Sequence, residues 1–505
     1  MSNLGQLLAD AAARHGDKPL LICADGTFSF SEIDSLATHV ARRLLSIGIG
    51  PGDVVGLWLE NGWRWVAFYY GALRAGCIVT PLNAMLTADE VEFISRDCNA
   101  RALVAETARG RPVCDRLNIL LLDDLSTSGL FAPIDSVART SFATLGAEAI
   151  AAIGYTSGTT GRPKGAVLTH RAVLMNAWMT ALMHGRSTAD TAVSALPCSH
   201  VYGNIVLNSV VACGMTLVLL PRFEAATALE AIHRYRATMF EGVPTMYLRM
   251  LNEPSLARTD FGALRLCTVG GQTMPVASMQ ETERCFGARL IELWGMTELA
   301  GLGTTHPHNA PHRLGSIGVP LPLNEARVAD AADFSRTLAR GEVGELLIRG
   351  PSVMKEYLGN ERATAETIEA DGWLRSGDLV YQDPDGYYCV VDRKKEVILS
   401  GGYNVYPAEV ERVIAEHPSV AMVAVGRMKD AELGELAKAY VVLRPGAASC
   451  AEQVIELCRT QLAHYKVPRS VQFVADFPRT STGKILRREL HVLDDAAAPA
   501  ASTPS

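Results

Sequence analysis

The stretch AIAAIGYTSGTTGRPKG, residues 149–165, decides how the rest of the chain is read. An apolar run leads into a loop whose glycines, Gly158, Gly161 and Gly165, let the backbone bend tightly and approach a ligand closely. Thr156, Ser157, Thr159 and Thr160 supply hydroxyl donors, and Lys164 supplies a positive charge. Such a loop suits the oxygens of a polyphosphate. It is not the GxxxxGK[ST] loop of kinases and GTPases, because Lys164 is followed by Gly165 rather than Ser or Thr. Standing alone, a glycine-rich stretch would be read as a solvated flexible loop, so its surroundings carry the decision.

On both sides, short apolar runs alternate with helical patterns. VVGLWLE from Val54 reads as a buried strand, WRWVAFYYGALRA from Trp63 as a helix stopped by Gly76, and CIVTPLN as the next strand. A second such unit runs from Met215 through the helical AATALEAIHRYR to a strand at Thr238–Glu241. This rhythm predicts an α/β fold with mostly parallel sheets. Near Asp392 the texture changes to DRKKEVILSGGYN, charged and then glycine-rich. Beyond it, Val420–Val425, Lys438–Leu443 and Ser470–Val474 read as strands, and Pro407–His417 and Ala451–Leu462 as helices. The expected architecture is a large multi-subdomain N-terminal domain (1–392), a hinge (393–396) and a small mobile α+β lid (397–492). Residues 493–505, rich in Ala, Pro and Ser, have the composition of a disordered tail.

Bulk properties agree and exclude some classes. A chain of 505 residues exceeds what one hydrophobic core normally serves. The net charge of −7, with no long basic run, argues against nucleic acid or an anionic membrane surface as the main partner. The 11 cysteines are scattered singly without a CxxC pair, which gives a zinc site or disulfide framework little support and fits a reducing, cytoplasmic compartment. The N-terminus reads as an amphipathic helix without the basic start and apolar core of a signal peptide. The most apolar stretch, Ile205–Leu220, is broken by Asn208, Ser209 and Gly214 and is shorter than the roughly 20 residues of a membrane span. It reads as a buried helix (202–213) turning at Gly214 into a strand (215–220).

Further motifs follow in order: LPCSH (196–200), VGGQTMP (269–275), WGMTE (294–298), GELLIRGP (344–351), LRSGD (374–378), DRKKEVILSGGYNVYPAEVE (392–411) and PRTSTGKILRREL (478–490). Together with the glycine-rich loop they resemble the signature of the adenylate-forming superfamily of acyl- and aryl-CoA synthetases, peptide-synthetase adenylation domains and luciferases. The resemblance covers essentially the whole chain up to the tail. Any one motif is weak; the ordered set is specific.

The resemblance implies an ATP-dependent acyl-CoA synthetase that makes an acyl-AMP, releases pyrophosphate and passes the acyl group to coenzyme A. ATP would be held by Thr156, Ser157, Gly158, Thr159, Thr160 and Lys164, by Gly271 and Gln272, and by Trp294, Gly295, Met296 and Thr297. Thr297 would donate to the α-phosphate, and Glu298 would hold Mg2+, a hard ion that suits a carboxylate. Asp378, assisted by Arg393, would take the ribose hydroxyls. Lys484 would bridge carboxylate and α-phosphate during adenylation, neutralising charge as two anions meet. Asn404 would contact phosphate in that first lid orientation. Rotation about Lys395 would then bring Gly401 and Gly402 to the pantetheine arm. Leu399 departs from members that place a lysine there.

Acyl-binding candidates are His200, Val201, Tyr202, Thr245, Gly270, Leu293, Leu299 and Ala300. His200 would gate the route to the thiol, although a lone histidine is more often structural. Trp294 stands where the family usually has Tyr and would cover adenine or reshape the acyl channel, with core packing as the plain alternative. Leu293 stands where malonate-activating relatives place an arginine, so the expected acid is hydrophobic: fatty, aryl or a polycyclic natural product. The alternative is an acyl-AMP ligase that loads a carrier protein. The partners are then a small carboxylic acid, ATP and CoA, without a membrane span and with a homodimer left open.

Overall fold

The computed structural model describes residues 3–123, 145–156, 163–430, 432–444, 446–479 and 485–495. Two compact units result. The first comprises residues 1–272, 280–326 and 348–374, and the second 273–279, 327–347 and 375–505. The expected boundary at residue 392 falls inside the second unit.

Two mostly parallel sheets build the first unit. One has nine strands, with Leu266–Val269, Met239–Gly242, Thr191–Ser194 and Thr216–Leu219 at its centre, paired in parallel. The other has seven, with Ile78–Pro81, Val54–Leu57 and Ala100–Ala105 paired in parallel. These central strands are four to six residues long and almost wholly buried. Burial on both faces is why they read as continuous apolar runs rather than alternating ones. Helices cover them. The Trp63–Arg74 helix is buried from Trp65 onwards, and Trp65, Tyr69 and Tyr70 are among the largest fully buried side chains. It crosses the Phe30–Ser46 helix so closely that a Cβ on Gly71 would lie 2.6 Å from Val40. Val201–Cys213 is the buried helix expected from the sequence, and it ends on Gly214 at φ 67°, the left-handed conformation that glycine adopts freely.

The second unit contains a four-stranded sheet, with Leu374–Gln382 antiparallel to Tyr388–Arg393. It also contains a five-stranded sheet built on the long antiparallel ribbon Val420–Asp430 and Gly434–Leu443, with Ser470–Phe473 joining in parallel. Helices Pro407–Ala415 and Ala451–Gln461 accompany it, and Val410, Val413, Ile414, Val454 and Cys458 share a core with Ile398, Val425 and Val441. No helix among the described residues is long and apolar enough to cross a membrane.

Candidate active site

Strands Ile150–Thr156 and Lys164–Thr169 are antiparallel neighbours, with Thr156 opposite Lys164. The strands on either side of the glycine-rich stretch are therefore paired with each other, and Lys164 opens a strand rather than a helix. Ser157, Gly158, Thr159 and Thr160 lie outside the described residues.

WGMTE spans the end of strand Arg289–Met296 and a single 3-10 turn, Thr297–Leu299. The chain then reverses at Ala300, a non-glycine residue at φ 54°, into the antiparallel strand Gly301–Thr305. Two glycines make this reversal fit. A Cβ on Gly295 would lie 2.1 Å from the Gly301 carbonyl, and one on Gly154 would lie 2.6 Å from Thr297 Cγ2. Thr297 is thus pressed against the strand that leads into the phosphate loop. Glu298 is buried, and its Oε1 accepts a 2.6 Å hydrogen bond from the Tyr357 hydroxyl. Lys164 Nζ sits 5.1 Å from the centre of the same tyrosine ring. Burial, and then the Glu298 charge, push the Tyr357 phenol far up, so it stays a donor. One tyrosine thereby joins Lys164 of the first motif to Glu298 of the fourth. Trp294, in contrast, packs over Gly303, where a Cβ would meet its Cζ3 at 2.4 Å, and it is 9% exposed.

The LPCSH turn is stapled by Asn61. Its amide nitrogen donates to the carbonyls of Leu196 (3.0 Å) and Leu220 (3.1 Å), and its oxygen accepts from Cys198 N (2.9 Å). His200 then caps the Val201–Cys213 helix, Nδ1 accepting from Tyr202 N at 3.2 Å. Gly203 lets that helix press on Pro197, whose carbonyl would be 2.2 Å from a Cβ there. Between these pieces lies a cavity whose lining includes His200, Val201, Asn204, Gly154, Thr297 and Ala300, with Tyr69, Tyr155 and Leu168 also on its wall.

Other acyl candidates sit apart from that wall. The Tyr202 hydroxyl is 2.5 Å from Thr268 Oγ1, which donates to Glu241, and Glu241 pairs with Arg186 at 2.6 Å deep in the core. Leu293 and Leu299 are buried, Leu293 against Gly270. Thr245 lies half-buried in the first turn of helix Pro244–Leu251, and Gly271 (φ 88°) and Gln272 follow strand Leu266–Val269.

In the second unit Asp378 is 4% exposed and faces Arg393 across the ladder, Nε to Oδ1 2.9 Å. Lys394 donates its backbone N–H to Gly377 O (2.9 Å) and its Nζ to Glu345 (3.2 Å), while Gly377 N donates to Glu345 Oε1 (3.0 Å). The hinge candidate Lys395 is exposed, and its carbonyl accepts from Arg427 Nη2 at 2.6 Å. Gly401 and Gly402, at φ 56° and 85°, form the turn between strands Ile398–Ser400 and Tyr403–Val405, with Asn404 opposite Leu399. Lys484 lies outside the described residues. The segment around it begins and ends in a bridge between Arg479 and Ile485.

The AMP-binding enzyme model matches residues 8–358, and the AMP-binding enzyme C-terminal domain model matches residues 409–484. The chain belongs to the AMP-binding enzyme family. The chain is 33% identical to a long-chain-fatty-acid–CoA ligase of Bacillus subtilis, over 96% of the chain and 94% of the relative. It is 34% identical to the Mycobacterium tuberculosis 3-[(3aS,4S,7aS)-7a-methyl-1,5-dioxo-octahydro-1H-inden-4-yl]propanoyl:CoA ligase, over 94% and 96%. Its fold matches o-succinylbenzoate CoA synthetase of B. subtilis in complex with its acyl-adenylate, at TM-score 0.87 and 29% identity, covering 99% of this chain and 100% of the other. The protein is therefore an AMP-forming acid–CoA ligase working through an acyl-AMP, and loading of a carrier protein is not favoured.

Sequence reasoning missed Tyr357, Asn61 and Asn204. Each acts on a partner far along the chain or inside an apolar helix, so no local motif announces it.

Proposed function

We propose that this ligase activates a hydrophobic monocarboxylic acid, with the acyl group entering the cavity beside His200, Val201 and Ala300. The observation that carries the reading is that cavity: its described wall holds Gly154, Leu168, Val173, Val201 and Ala300 and no Lys or Arg side chain. A second carboxylate would be left unpaired there at high cost. Both kinds of relative fit this class, one named for long-chain fatty acids and one for a polycyclic dioxo propanoyl group.

In the first half-reaction the acid's carboxylate attacks the α-phosphorus of ATP and pyrophosphate leaves. Thr297 donates to the α-phosphate, Lys164 and the loop hydroxyls hold the outer phosphates, Asp378 and Arg393 hold the ribose, and Lys484 draws the two anions together. Positioning and charge neutralisation are the protein's main contributions. Among the described residues no group of three or more His, Cys, Asp or Glu is set to hold a metal. Glu298 nevertheless fits Mg2+, which commonly takes one or two carboxylates plus phosphate oxygens and water. When bound, the ion neutralises charge on the departing pyrophosphate. In the second half-reaction the segment from residue 397 onward rotates about 393–396, and the CoA thiol attacks the acyl carbonyl, releasing AMP. We place the enzyme in a reducing cytoplasm; a homodimer is not needed for the chemistry.

A homologous series of monocarboxylates tests the acid class. Each buried methylene is worth about 0.8 kcal/mol, so kcat/KM should climb with apolar size until the tail meets the cavity's end. Malonate and succinate should be poor throughout. Malonate outperforming octanoate and benzoate would refute the reading.

A further inference from the structure

We infer that Asn204 selects acids bearing a neutral oxygen on the acyl chain or ring, donating its side-chain N–H to a keto, hydroxyl or ether oxygen. The inference rests on the reading that the cavity takes the acyl group. Asn204 lies one turn beyond His200, on the same face of the helix, and both line the cavity.

Its amide orientation is set from behind. Asn208 Nδ2 donates to the Asn204 main-chain carbonyl at 3.0 Å, which identifies that atom as the nitrogen. The same nitrogen lies 2.9 Å from Asn204 Oδ1, so Oδ1 is the accepting end of Asn204. The Tyr69 hydroxyl approaches the same oxygen at 3.3 Å, and the Tyr70 hydroxyl donates to Asn208 Oδ1 at 2.9 Å. Burial pushes the Tyr69 phenol up to about 12 and raises the Tyr70 phenol well above its ordinary value too, so both remain protonated across the assay range.

With its oxygen engaged, Asn204 has only its Nδ2 left to offer. That nitrogen is buried and has no hydrogen-bond partner, on a residue only 9% exposed. A buried amide donor left unmatched is costly, whereas a site built to bond a substrate oxygen rejects the analogue lacking it. A saturated hydrocarbon tail would leave Nδ2 unsatisfied; an acceptor oxygen at the right carbon would complete it. Aliphatic residues alone would have served a plain fatty chain, and the rest of this helix supplies them: Ile205, Val206, Leu207, Val210 and Val211.

The test compares a saturated monocarboxylate with its keto- and hydroxy-substituted analogues at successive carbons, reading kcat/KM for pyrophosphate release. The readout is the ratio of oxygenated to parent acid within each variant, which does not depend on the fraction of enzyme folded. For wild type the ratio should exceed about tenfold at one substitution position, the size expected of one well-placed hydrogen bond. Asn204→Leu should bring it to unity or below. Asn204→Asp, an acceptor in place of the donor, should reject the keto analogue and keep the hydroxy analogue. A wild-type ratio near one at every carbon would overturn the inference and leave Nδ2 to a buried water. A ratio unchanged in Asn204→Leu would overturn it too. Absence of pyrophosphate release with every acid would instead remove the acyl-cavity reading, and the inference with it.

Discussion

Tyr357 meets Glu298 with a 2.6 Å hydrogen bond and presents its ring to Lys164. Residues that orient a metal-holding carboxylate typically matter about 10- to 100-fold in affinity or activity. Tyr357→Phe should therefore weaken apparent Mg2+ affinity by about that factor in assays of pyrophosphate release, while leaving the acid preference in place. An unchanged Mg2+ dependence would separate Tyr357 from the metal. Lys484 permits a sharper cut. Lys484→Ala should depress acyl-AMP formation severely and spare thioester formation from supplied acyl-AMP; equal loss in both half-reactions would contradict its role. At this scale the sequence was legible where a motif is contiguous. Glu298 stands out in WGMTE because its neighbours accompany it. Tyr357 does not, because it follows Glu298 by 59 positions and meets it only once the chain folds, where Met354 N donates to the Glu298 carbonyl and Glu356–Tyr357 pairs with Lys164–Thr169.

Among the elements, the hairpin Ile398–Ser400/Tyr403–Val405 changes the meaning of its glycines. Nothing lies within 4 Å of a Cβ on Gly402, yet its φ of 85° disfavours other residues by roughly 1–2 kcal/mol. Gly402→Leu adds strain as well as bulk, whereas Asn tolerates that conformation better. If the CoA arm passes this turn, Gly402→Leu and Gly402→Asn should both lose CoA transfer while keeping adenylation. If only the leucine variant fails, the glycine serves the turn. Nearby, Arg487 faces Glu411 at 2.6 Å, Asp392 at 3.8 Å and Glu396, tying the segment after Lys484 to the hinge candidate region of the same unit. Arg487→Met leaves three carboxylates uncompensated and should cost roughly 3 kcal/mol, seen as a lower Tm.

Burial pushes the Asp392 carboxyl up to about 6, against the pull of Arg487 and the N–H groups of Ala408 and Arg393. A raised folded-state value means that the folded protein holds more protons than the unfolded chain between about pH 4 and 6. This group's contribution to stability is therefore present below that window and is lost as pH rises through it. The Tm difference between wild type and Asp392→Asn should shift against wild type from pH 4 to 6 and then level off; a difference that is flat with pH would contradict the assignment. Element-level legibility follows periodicity. Val54–Leu57 and Trp63–Arg74 emerge from apolar runs, but strand Val420–Asp430 outlasts its VAMVAV run, because GRMKD pairs in a ribbon whose polar side chains give no apolar signal.

For the whole molecule, the alternation of short buried strands with helices already indicated parallel sheets, and the order of motifs indicated the chemistry. What composition could not convey is which long-range contacts assemble the motifs, such as Asn61 holding LPCSH, or Gly154 admitting Thr297. The central claim is that the ligase works in two half-reactions joined by an acyl-AMP. Its most direct test measures pyrophosphate and AMP separately, over an acid panel, with and without CoA. The account predicts acid-dependent pyrophosphate release limited to about one turnover without CoA, and sustained, stoichiometric AMP and acyl-CoA formation once CoA is added. Sustained AMP release that ignores CoA, or ADP as the nucleotide product, would contradict it.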